Sequence, residues 1–234
     1  MKTRVIGDVH GLKYDLSILL DNIPEDVTSV IQVGDMGVGF GQSDYWHESL
    51  DEMMSNVNAR FIRGNHDNPS VCKTMGTWIP DGLVKNDTMF IGGAWSIDHR
   101  WRKMGIDMWE DEELSHEELD RVISVYDLVR PSIMITHDCP LSVSNELFIA
   151  NGKTLSNQQY KTRTGQAFDA MFAMHQPKVW IFGHWHSDAD KVINGTRFIC
   201  LNELSYCDID LATHEISCVA THEILNQPYD EDVA

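Results

Sequence analysis

Five times in this chain a short apolar run stops at aspartate, asparagine or histidine. Val5-Ile6-Gly7 leads into Asp8-Val9-His10-Gly11, Ile31-Gln32-Val33-Gly34 into Asp35, and Phe61-Ile62-Arg63-Gly64 into Asn65-His66-Asp67. Met134-Ile135-Thr136 leads into His137-Asp138, and Trp180-Ile181-Phe182-Gly183 into His184-Trp185-His186. Short apolar runs bounded by turn residues read as buried strands. Open α/β sheets bind ligands at the carboxyl ends of their strands. Any one of these endings is weak as a signal. Five together restrict the chain to a fold that gathers five strand ends at one edge.

The intervening sequence supplies the helices of an α/β fold. Leu12–Asn22 places Leu12, Leu16, Leu19 and Leu20 near helical period, and Asp44–Asn56 places Trp46, Leu50, Met53 and Met54 on one side. Ser115–Asp127 is a third helix, with Ser115 as N-cap and Glu118 as its capping-box partner. A fourth runs from about Gly165 to His175. The strands are Thr3–Gly7, Thr28–Val33, Ala59–Arg63, Thr88–Gly92, Ser132–Thr136 and Lys178–Phe182, with Thr88–Gly92 expected to be antiparallel or at an edge. Lys191–Ile193 and Arg197–Leu201 flank Asn194-Gly195, a strong hairpin signal. That turn explains Asn194-Gly-Thr better than a glycosylation acceptor does. Cys207–Leu211 and Glu215–Val219 form one more hairpin. One domain over residues 1–234 is the simplest count, with a disordered tail from about residue 226.

Composition narrows the setting. No window approaches the roughly 18 apolar residues of a membrane span, and the N-terminus lacks the apolar stretch of a secretory signal. The five cysteines are odd in number and form no CxxC pair, which points to a reducing, cytoplasmic setting. A net charge of −18 disfavours long nucleic acid as a partner. The runs Asp107 to Glu118 and Tyr229 to Asp232 read as solvated acidic surface.

Imidazole and carboxylate together suit divalent ions such as manganese, iron, zinc or nickel. Asp35 is a single carboxylate able to bridge two ions, and Asn65 adds a ligand oxygen without charge. Gly7, Gly34, Gly64 and Gly183 each precede a candidate ligand, where glycine lets the backbone turn sharply. Two ions roughly 3.5–4 Å apart can clamp the attacking and leaving oxygens of a phosphate ester. Gly37-Val-Gly39-Phe-Gly41 lacks the lysine of a phosphate loop and reads as a flexible loop. Arg63 is expected in the core or in an ion pair, and Asp138 and Asp188 as turn or supporting residues. Trp185, between two candidate ligands, is placed to shape a pocket.

Taken in order, Gly-Asp8-Val-His10-Gly, Gly-Asp35, Gly64-Asn65-His66-Asp67, Thr-His137 and Gly183-His184-Trp-His186 resemble the five motifs of the calcineurin-like metallophosphoesterase superfamily. The resemblance implies a four-layer α/β/β/α sandwich of two mixed β-sheets flanked by helices, with the late hairpins in the second sheet. It implies two divalent metal ions, manganese first among the candidates. Asp8, His10 and His186 would hold one, Asn65, His137 and His184 the other, and Asp35 would bridge. A hydroxide between the metals would attack phosphorus, and His66 would protonate the leaving group. Asp67 would orient His66 by accepting its other N–H. The stretch Gly92 to Arg102 resembles a loop of small bacterial and phage metallophosphatases. Arg100 and Arg102 are its candidates for gripping a phosphate. Protein Ser/Thr phosphatases of the superfamily carry Asp-Arg-Gly after the second motif and Glu at the end of the third. Here Gly-Asp35-Met-Gly-Val-Gly lacks the arginine and Asp67 replaces the glutamate. The expected substrate is therefore a phosphodiester or a small-molecule or nucleotide phosphate ester. A phosphoprotein phosphatase and a non-catalytic metal-binding scaffold are the alternatives.

Overall fold

A computed structural model describes residues 1–149 and 162–219. The tail expected from about residue 226, with the Tyr229–Asp232 run, lies outside the described residues. The elements follow as β1 (Lys2–Ile6), α1 (Lys13–Asp21), β2 (Val27–Gln32), α2 (Asp44–Asn56), β3 (Ala59–Phe61), α3 (Pro69–Cys72), β4 (Leu83–Lys85) and β5 (Thr88–Ile91). Then come a 3-10 turn (His99–Trp101), α4 (His116–Val129), β6 (Ile133–Thr136), α5 (Leu141–Ser144), a π-turn (Asn145–Ile149) and α6 (Arg163–Met174). The chain closes with β7 (Val179–Phe182), β8 (Ala189–Ile193), β9 (Thr196–Cys200), β10 (Tyr206–Asp210) and β11 (Ile216–Val219).

These strands form two mixed sheets, ordered β11-β10-β1-β2-β3 and β4-β5-β6-β7-β9-β8. In the first, β1, β2 and β3 are parallel; in the second, β5, β6, β7 and β9 are. Strands buried on both faces alternate between two apolar environments. Val5 of β1 joins a cluster drawn from both sheets, together with Ile31, Ile133, Ile135, Ile181 and Ile209. Its neighbour Ile6 faces the opposite way, toward Leu16 and Leu20 of α1 and Leu50 of α2. Met134, Trp180 and Phe182 likewise face a third cluster containing Val122 of α4 and Phe168 of α6. Three apolar layers therefore separate helices, sheet, sheet and helices, which is the expected four-layer sandwich.

Three expectations are corrected. Thr88–Ile91 pairs antiparallel with β4, as one branch of the expectation had it, but it is not an edge strand, because β4 lies outside it and β6 lies inside it, parallel. Only the Asn194-Gly195 hairpin extends the second sheet. The last hairpin extends the first, where β10 runs antiparallel to β1. The acidic run Asp107 to Glu118 is not uniformly solvated, since Glu112 and Glu113 are buried at 6% and 7% exposure. Glu113 accepts hydrogen bonds from the Thr164 amide and hydroxyl at the start of α6. The capping box at Ser115 and Glu118 forms as expected. Cys72, Cys139, Cys200 and Cys207 are buried. No helix of the described residues is long and apolar enough to cross a membrane.

Candidate metal centre

The loops leaving β1, β2, β3, β6 and β7 meet at one edge of the sandwich. The Asp35 carbonyl accepts from the amides of Val9 and His10, at 3.0 and 2.7 Å, which ties the first loop to the second. The Asp35 carboxylate accepts from the His66 amide at 2.7 Å, which ties the second to the third. Buried Gln32 bridges the strand ends, donating to the carbonyls of Gly7 and Gly34 and accepting from the Gly34 amide. Across the sandwich, the His184 amide donates to both carboxylate oxygens of Asp8 at 3.1 Å.

His10, Asp35, His184 and His186 all adopt positive φ, at 49°, 56°, 65° and 44°. Such angles are uncommon outside glycine, persist only where the surroundings enforce them, and cluster at functional sites. The preceding glycines do a different job from the one expected. Only Gly34 of the four has positive φ. A Cβ on Gly64 would collide with the Asp35 carboxylate, and one on Gly183 with that of Asp8. Glycine at these two positions makes room for the acids rather than for a turn.

The side chains converge in two groups that share Asp35. Asp8, His10, Asp35 and His186 form one, and Asp35, His137 and His184 the other; within each, the possible ligand atoms lie within 4.8 Å of one another. In the first, His186 Nε2 stands 3.2 Å from Asp8 and 3.0 Å from His10 Nε2. In the second, His137 Nε2 stands 3.2 Å from Asp35 Oδ1 and 3.0 Å from Asn65 Oδ1, which brings Asn65 to that group. The Nδ1 of His137 faces the Val33 carbonyl at 2.8 Å, so the nitrogen turned to the site is Nε2. Asn65 is oriented too. Its Nδ2 donates to Ser96 Oγ at 3.1 Å, which leaves Oδ1 facing the site.

Burial opposes charge on Asp35, yet His137, His66 and His10 hold that carboxyl well below the usual range. Burial opposes charge on His137 as well, but Asp35 and Asp8 lift it to about 10. His184 is pushed down to about 3 by desolvation and then by His137. A nitrogen pinned between two acceptor oxygens needs a positive centre, either a proton or a cation. This donor set of imidazole nitrogens, carboxylates and one amide oxygen fits divalent cations.

His66 lies over this site, edge-on to His10 at 5.1 Å and stacked on Phe40 at 5.6 Å. The expected pairing with Asp67 does not occur. Asp67 is fully buried and accepts from the amides of Met36, Gly37, Val38 and Gly64, at 2.7 to 3.2 Å. Its carboxylate is saturated by backbone and cannot also orient His66. The carboxylate within reach of the His66 ring is Asp98, at 4.0 Å from Nε2. Two of these bonds, from Gly37 and Val38, tie down the start of the 37–41 stretch that was expected to be a flexible loop. Gly39 is fixed as well, its amide donating to His47.

Arg102 is not an open phosphate grip. Its side chain is 5% exposed and pairs with Glu112 at 2.9 Å and Asp98 at 3.5 Å. It also donates to Ser96 Oγ and to the Asn65 carbonyl. With the Asp107 carbonyl, which accepts from its Nε, five polar partners in a buried place make it a clamp on the loop that carries Asn65. Arg100 is exposed, on the 3-10 turn. Arg63 pairs with Asp81 at 3.0 Å. Asp138 accepts from the Trp185 indole at 2.9 Å and so fixes the residue between His184 and His186. Asp188 accepts from the Asn202 amide. Ser96, Asp98, Phe40 and Glu112 escaped the sequence reading because none lies in a strand-end motif. The one available signal was the Gly92 to Arg102 stretch.

The sequence model of the calcineurin-like phosphoesterase family matches residues 1–188. No curated protein matches the chain. Among solved structures, TT1561 of Thermus thermophilus superposes with a TM-score of 0.60 at 10% identity, over 94% of this chain and 98% of that one. A dimetal phosphatase from Danio rerio gives 0.52 at 14% identity, over 89% and 91%. GAP50, described as the anchor in the inner membrane complex of Plasmodium, gives 0.53 at 10%, over 94% and 89%. At such identities these likenesses show a shared fold.

Proposed function

The chain belongs to the calcineurin-like phosphoesterase family, and from that premise we propose that it hydrolyses a phosphodiester or a small-molecule or nucleotide phosphate at a two-cation centre. The observation that carries the reading is the pair of donor groups sharing Asp35. Asp8, His10 and His186 would hold one cation, Asn65, His137 and His184 the other, and Asp35 both. Cations there would supply Lewis acidity toward phosphoryl oxygens and a water nucleophile at neutral pH. Manganese is the first candidate, ahead of iron, zinc and nickel.

The remaining work falls to side chains. His66, held between Phe40 and Asp98, donates a proton to the departing oxygen. Asn65 is turned toward the site by Ser96, and Ser96 is held by Glu112 and Arg102. Asp67 takes a positioning role in place of the orienting one, because it joins the Asp35 loop to the Asn65–His66 loop.

The test is a metal-reconstituted activity screen over phosphomonoesters, cyclic nucleotides, dinucleotides and phosphopeptides. Turnover of the small esters that disappears in Asp35→Ala supports the reading. Preference for phosphopeptides would replace it with a protein phosphatase. Tight manganese binding without turnover of any ester would make the chain a scaffold.

A further inference from the structure

The loop that reaches His66 also displays an indole that the fold does not use. Trp101 is 87% exposed, and among the described residues its ring meets no other ring or cation. Ile97, Met104 and Ile106 on the same loop are 60%, 53% and 64% exposed. Large apolar side chains left in water along one loop are the raw material of a contact surface.

This surface is fixed and lies next to the chemistry. Trp101 closes the 3-10 turn His99–Trp101, and its amide donates to the Asp98 carbonyl at 2.8 Å. Side chains three apart eclipse on a 3-10 turn, so Trp101 stands on the same side as Asp98, the residue 4.0 Å from His66. Arg102, the next residue, is clamped to Glu112 and the Asn65 carbonyl. The turn is thus anchored to the backbone of a candidate metal ligand. Its other charged residues are of both signs, Asp98 standing with Arg100 and Lys103. Arg100 and Lys103 are exposed beside Trp101, in a chain of net charge −18. Cations interleaved with an aromatic ring are the usual platform for a nucleobase.

We infer that Trp101 is a specificity-determining residue that stacks a planar aromatic ring carried by the leaving group, so that the preferred ester is that of a nucleoside or a comparable aryl alcohol. The inference rests on the proposed hydrolysis, in which the departing oxygen lies on the His66 side.

Adenosine 5′-monophosphate and ribose 5-phosphate share the same scissile bond and differ by the base. The experiment compares both on the manganese-loaded chain, by kcat/KM and by calorimetric Kd, in the wild type, Trp101→Ala and Trp101→Phe. The expected result is a wild-type preference for the nucleotide that falls about tenfold in Trp101→Ala, mainly through KM, and returns in large part in Trp101→Phe. An equal wild-type response to both ligands, or a preference that survives Trp101→Ala, overturns the inference. If the wild type hydrolyses other esters but neither of these, the Kd ratio alone decides the role of Trp101. Failure on every ester would instead remove the proposed hydrolysis. Sedimentation of the same variants covers the remaining occupant: a dimer that Trp101→Ala dissolves, with the nucleotide preference intact, would make this surface a self-association face.

Discussion

His66 and Glu112 illustrate two ways a polar residue can serve a site. In the proposed reaction His66 meets the departing oxygen, so its loss should be felt in chemistry. In His66→Asn we expect kcat on an alkyl ester to fall by about 10²–10⁴-fold, the usual span for a general acid. The loss should be much smaller on a p-nitrophenyl ester, whose leaving group needs no proton. Equal losses on both would remove the acid role. Glu112 acts through Ser96 and Arg102. Burial outweighs the pull of those partners and raises its carboxyl to about 7, from 4.5 in the open chain. Between those values the folded chain holds a proton that the unfolded chain has released. Its contribution to stability is therefore complete below about 4.5 and lost as pH rises through about 7. Denaturant titrations of the metal-free chain across that window should show a falling slope that Glu112→Gln flattens. At this scale the candidate ligands were legible and the residues that support them were not. Asp8, His10 and Asp35 announce themselves within a few residues of a glycine. Ser96 reaches Asn65, and Asp98 reaches His66, only through contacts more than thirty residues apart in sequence.

The loops at the sheet edge hold their shape largely through Asp67. Replacing it with alanine would leave four amides without their acceptor. Each unpaired buried group costs about 1–3 kcal/mol. Allowing for relaxation, Asp67→Ala should lose about 3 kcal/mol or more, read by denaturant unfolding. Metal affinity should weaken about 10- to 100-fold, read by competition with a chelator, because supporting residues of ligands act on that scale. An Asp67→Ala chain with wild-type affinity would show that the loops keep their form unaided. The strands that carry the loops were visible as apolar runs, and the helices as period-3.6 stripes. Which sheet received each hairpin was not visible. The Asn194-Gly195 turn dictates that two strands pair with each other, but β10 finds β1 about two hundred residues away, and no local pattern encodes that pairing. The interior position of β5 has the same cause, since the short β4 that covers it is too brief to read as a strand.

Across the whole molecule, the two sheets contribute unequally to one centre. β1, β2 and β3 of the first sheet precede Asp8, His10, Asp35 and Asn65, while β6 and β7 of the second precede His137, His184 and His186. Cations bound there favour the folded chain by mass action, about 2.7 kcal/mol at a free concentration one hundred times Kd. Chelation should therefore lower the melting temperature by about 5–10 °C for a chain of this size, and manganese should restore it. A melt indifferent to chelator would mean that the donors hold no cation. The interface between the sheets is built of branched aliphatic side chains such as Val5, Ile31, Ile135 and Ile181, which attract without direction. Such a contact resists separation of the two leaves far better than it resists their sliding. Ligands anchored on both leaves act as a pin through that slip plane, so loading the centre should stiffen the sandwich in shear along its whole length.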